Sequence, residues 1–146
     1  MHTLSLTSQI VLYVLLVIIG LYSVLLWVWQ AKILKGRELR NCDGAMDSWR
    51  QQKTHYGIAF ADVFVTCPLT FVGIILIFTA PRWGYYLIAL VSYFWLWANL
   101  MTTATSLKFE RPRINFLWIL TYPFGSLVGL AYIVWAIVHF DVIYFP

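Results

Sequence analysis

Asp62 is the only formally charged side chain inside any of the four long apolar runs of this chain. A carboxylate at the centre of a membrane span costs roughly 2.5–3.5 kcal/mol on insertion scales. Such a group must face the protein interior and find hydrogen-bond donors there, and its chemistry takes one of two forms. It is either the acceptor at the heart of a polar packing cluster or the acid/base group of a ligand or proton site. Candidate donors recur at helical spacing. Asp62, Thr66, Thr70 and Gly73 share one face of the second run. Ser92, Asn99, Thr102 or Thr103, and Ser106 share a face of the third. Trp118, Tyr122, Gly125, Gly129, Tyr132 and Ala136 share a face of the fourth.

Allowing for chain direction, Asp62, Thr66, Asn99, Thr103, Tyr122 and Ser126 all fall in the same half of the four runs, next to the basic loops. They define a candidate polar pocket with Arg111 and Arg113 at its mouth and Tyr93, Trp95 and Trp97 as its roof. The competing reading is packing: Ser, Thr and Asn in spans commonly bond across helices for about 0.6 kcal/mol each. Pro68 and Pro123 add to the same half, since each frees a carbonyl one turn earlier, on Phe64 and Ile119. Gly125 and Gly129 form a GxxxG that lets a backbone approach closely, with Gly20 and Ser23 of the first run or another subunit as partners. Trp95 and Trp97 are candidates to touch a partner helix, a lipid tail or a pigment.

Other chemistry is thinly represented. His55 and His139 fall at opposite ends, and His139 with Asp141 and His2 offers too few ligands for a metal site. No CxxC or CxxCH is present, and Cys42 and Cys67 lie at different depths. No cofactor is indicated. No nucleophile–base pair is visible, so the sequence leans away from an enzyme. The acidic residue of small multidrug exporters belongs in span one, which has none here, and the CxxC of vitamin K-type quinone reductases is missing.

These residues need elements to hold them. The chain is 62% hydrophobic and 11% charged, against about a quarter charged in soluble domains. Runs at about 10–29, 58–79, 84–107 and 116–140 are each long enough to cross a hydrocarbon core of about 30 Å. Inside lipid such runs must be helical, because every backbone group has to be satisfied within the segment. The expected fold is one all-α domain, a polytopic four-helix transmembrane bundle.

Nine of the ten Lys and Arg residues lie in the loops 30–57 and 108–115, whereas the connection between the second and third spans holds only Arg82. The positive-inside rule makes the two basic loops cytoplasmic and puts both termini outside. Pro112 should stop the third helix. The excess of positive charge belongs to membrane headgroups, not nucleic acid. The expected setting is a bacterial inner (cytoplasmic) membrane. The expected partners are lipids, and other membrane subunits or a second copy. The expected function is an accessory subunit of a membrane complex or a binder of a hydrophobic or amphipathic ligand. The alternative is a membrane enzyme or proton-coupled carrier that uses Asp62 in a pocket open to the cytoplasm.

Overall fold

A computed structural model describes residues 4–36, 49–110 and 112–145, without the side chains of 49–54 and 110. The described residues are helical with no strand: α1 (Leu6–Leu34), α2 (Trp49–Ala61), a π-helical turn (Asp62–Thr66), α3 (Cys67–Thr79), α4 (Pro81–Thr105), a second π-helical turn (Ser106–Glu110), α5 (Phe116–Thr121), α6 (Phe124–Val138) and α7 (Phe140–Tyr144). Three helical stretches are long and apolar enough to cross a membrane: Leu6–Leu34, His55–Thr79 and Pro81–Phe109. Their outward faces carry exposed Val14, Val17, Leu21, Val72, Ile75, Leu90 and Leu100. Apolar surface of that extent marks a membrane protein.

Local chemistry accounts for the boundaries. Ser5 caps α1 by accepting from the Ser8 N–H. Pro68 lacks an N–H, and its ring would collide with the carbonyl four residues back. The preceding π turn, in which the Cys67 N–H reaches the Asp62 carbonyl, opens the helix at that point. The connection from α3 to α4 is the single residue Ala80, followed by Pro81 at the first helical position of α4. The continuation of α4 ends at Glu110, and 112–115 are not helical, in keeping with Pro112 as a stop.

The fourth expected span, 116–140, is not one helix. It divides at Tyr122–Pro123, and α6 alone has 15 residues, about 23 Å of helix. Pro123 cannot donate along the ladder. Asn115 caps α5, its side chain accepting from the Trp118 N–H at 2.9 Å.

The helices alternate in direction, as their contacts show. Gln30 meets Asp62 and Gly20 faces Ile74, so α1 is antiparallel to α3. Gly73 meets Ile88 and Gly84 meets Ile77 across the α3–α4 hairpin. Gly129 meets Ser92 and Gly125 meets Asn99 between α6 and α4. Away from the basic loops the core is apolar and aromatic: Leu12, Leu16 and Ile19 of α1, Ile77, Ile88 and Val91 of the hairpin, and Val128, Tyr132 and Trp135 of α6.

Two packing expectations change. The GxxxG of α6 packs on α4, not on Gly20 and Ser23 of α1. The expected aromatic roof is also split. Trp95 is 1% exposed in the core, whereas Tyr93 and Trp97 are 67% and 54% exposed on the outside. At about 100° per residue, positions two apart lie nearly opposite, so 93 and 97 share the face that 95 avoids.

Candidate functional site

Asp62 opens the π turn between α2 and α3 and is 3% exposed, among the most enclosed polar residues of the bundle. Its Oδ2 accepts from Gln30 Nε2 of α1 at 2.9 Å. Thr66 stands beside the carboxylate, and Tyr22 and Cys67 are near enough to sense its charge. No Lys, Arg or His pairs with Asp62 among the described residues. Of the polar residues expected on shared faces, Thr66, Thr70, Ser92, Asn99 and Ser106 are buried, whereas Thr102, Thr103 and Tyr122 are half-buried; Ser126, expected at the same depth, is buried too.

Most of the expected donors are engaged elsewhere. The Thr66 hydroxyl donates to the Ala61 carbonyl at 3.3 Å and Thr70 to the Thr66 carbonyl at 2.8 Å. Thr102 and Thr103 both donate to the carbonyl of Asn99, and Ser126 to that of Pro123. Each hydroxyl therefore bonds its own helix, the usual habit of Ser and Thr in spans, and that of Thr66 is also within reach of the Asp62 carboxyl. The Asn99 side chain donates to the Trp95 carbonyl at 3.0 Å and accepts from the Tyr22 hydroxyl at 3.3 Å. Tyr22 thus links the Asn99 cluster to the neighbourhood of Asp62, with its ring edge-on to Trp95 at 5.1 Å. Tyr122 stacks obliquely on Trp118, whose Nε1 donates to Ser106 Oγ at 3.1 Å. Arg113 is exposed and makes no ion pair with Asp62. Arg111 lies outside the described residues.

Among the described residues, five buried polar atoms have no hydrogen-bond partner: Asp62 Oδ1, Gln30 Oε1, Ser23 Oγ, Ser92 Oγ and Trp95 Nε1. The first two are acceptors on side chains that already bond each other. An unpaired buried acceptor costs about 1–3 kcal/mol, and more when charged. A proton on Asp62 or an incoming donor would close the pair. The arrangement can receive a donor: a protonated group, an amide or a hydroxyl. Comparison with protein-family models, curated proteins and solved structures finds no match for this chain. The chemistry of the site therefore rests on its own geometry.

Sequence reasoning missed Gln30 and Tyr22. Gln30 closes an apolar run beside Lys32 and so reads as an interfacial terminus. Tyr22 reads as one more apolar residue of its span. Among the described residues, no group of three or more His, Cys, Asp or Glu side chains is placed to hold a metal.

Proposed function

We propose that this chain is a small four-span membrane protein, with both termini outside, that binds an amphipathic ligand through Asp62 in the cytoplasmic half of its bundle. The observation that carries this reading is the pair of donor-less acceptors, Oδ1 of the enclosed Asp62 and Oε1 of its partner Gln30. Placement of the site beside the basic loops lets a polar head reach it from the headgroup layer while an apolar tail stays in lipid. The density of Lys and Arg in the two loops supports the orientation, in a bacterial inner membrane.

Orientation has its own check. Alkaline phosphatase fused at the C-terminus should be active and a green fluorescent protein fused there dark, with the reverse for fusions in loop 30–57. The opposite pattern would invert the orientation, and the same pattern at both positions would remove the four-span reading.

The ligand is tested by native mass spectrometry of the chain extracted gently from its own membrane. A 17.0 kDa chain, or a homo-oligomer of it, should carry a small-molecule adduct. A stoichiometric protein partner with no adduct would instead make it an accessory subunit.

A further inference from the structure

At the end of the bundle opposite Asp62, two residues 131 positions apart meet: His139 Nε2 lies 2.9 Å from Ser8 Oγ. The other ring nitrogen, Nδ1, lies 2.8 Å from the Trp135 carbonyl oxygen. A carbonyl oxygen can only accept, so Nδ1 carries a proton. In the neutral imidazole Nε2 is then the acceptor, and the Ser8 hydroxyl donates to it. Ser5 Oγ, 2.8 Å from Ser8 Oγ, is left to donate to that oxygen. The imidazole is held in place as well as in tautomer. It stacks on the Trp135 indole, with ring centres 4.6 Å apart, and Trp135 Nε1 donates to the Ser8 carbonyl at 3.2 Å.

A serine bonded to a histidine whose far nitrogen is oriented by a third group is the arrangement that activates a hydroxyl nucleophile. Here the orienting group is a backbone carbonyl. Ser8 also sits in the first turn of α1, where the helix end favours negative charge, its own N–H being taken by the Ser5 cap. Ser8 and His139 are half-buried and Ser5 is exposed, so the pair can be reached.

We infer that Ser8 and His139 form a nucleophile–base pair that cleaves carboxylic esters at lipid-ester depth. The depth follows from length: the 29 residues of α1 span about 43 Å and overhang a core of about 30 Å at both ends. Ser8, near the start of the helix, then lies at the border where glycerolipid ester carbonyls sit. In the first step Ser8 Oγ bonds to the ester carbonyl carbon and its proton passes to His139 Nε2. The carbon–oxygen bond to the alcohol breaks, and the alcohol leaves with the proton from Nε2. Water, deprotonated by the same nitrogen, then attacks the acyl-serine and releases the carboxylic acid and the Ser8 hydroxyl. This inference rests on the membrane reading and is independent of Asp62.

The test uses the full chain in detergent micelles with a fluorophosphonate probe, the modified peptide being located by mass spectrometry. Ser8 should be labelled in the folded protein and not after denaturation in SDS. H139Q, whose amide can still bridge to Ser8 but cannot act as base, should label about 10²–10⁴-fold more slowly. Its helical circular dichroism should be unchanged. Hydrolysis of 4-methylumbelliferyl butyrate should fall in parallel and vanish in S8A. Absence of a Ser8 adduct on the folded wild type, or equal labelling of a folded H139Q, would make the pair a structural bridge and overturn the inference.

Discussion

Asp62→Asn is expected to keep the fold and to lose the bound ligand. Asparagine has the shape of aspartate. Its Oδ1 can still accept from Gln30 Nε2, which now donates at 2.9 Å to the carboxylate. Its new Nδ2 donors can reach Gln30 Oε1, one of the two acceptors that have no donor in the native bundle. The two side chains would then form a closed, neutral amide pair. Satisfying an orphaned acceptor should raise stability by about 1 kcal/mol, read as a higher melting temperature in detergent.

Binding should move the other way. A ligand donor left without its buried acceptor costs about 1–3 kcal/mol, so retention should weaken by about 10–100-fold. In native spectra the adduct should disappear while the chain's own mass remains. A variant that is more stable and still carries the full adduct would show that Asp62 does not hold the ligand. A variant that no longer folds would make Asp62 a structural acceptor.

Gly129→Val is expected to be the most damaging substitution in the packing of α6. A Cβ at this position would overlap the Ser92 carbonyl oxygen and crowd the Leu96 N–H of α4. Both are backbone atoms of a helix and cannot swing aside, so the two helices must separate. Overpacking of this kind costs typically 1–3 kcal/mol and occasionally more, and about 3 kcal/mol is expected here. The neighbouring glycine sets the contrast. A Cβ on Gly125 would meet the Asn99 side-chain amide, which can rotate away at the expense of its bond from Tyr22. Gly125→Ala should therefore cost less than Gly129→Val. Gly57→Ala, where nothing lies within 4 Å, should be neutral or up to about 1 kcal/mol stabilising. Thermal melts of the three variants should follow that order, and equal melts for all three would mean that α6 does not approach α4 this closely.

The sequence by itself determined the helical class and the apolar stretches, because hydrocarbon leaves a long apolar segment only one way to satisfy its backbone. It also determined that Asp62 must be inside. The cost of exposing a carboxylate to lipid does not depend on which helix covers it. The same spacing placed Thr66, Thr70, Ser92, Asn99 and Ser106 on shared faces, and all are buried. The separation of Trp95 from Tyr93 and Trp97 is legible in the spacing too, since positions two apart on a helix face nearly opposite ways.

Only the tertiary structure decided which groups meet. Gln30 as the partner of Asp62, α4 as the surface under Gly125 and Gly129, and His139 beside Ser8 depend on how helices align. That alignment is set by side-chain packing between segments distant in the chain, and spacing within one helix carries no record of it. The break at Pro123 was similarly open. A proline within a span can bend a helix or divide it, and the outcome depends on whether neighbours can take up the freed backbone groups.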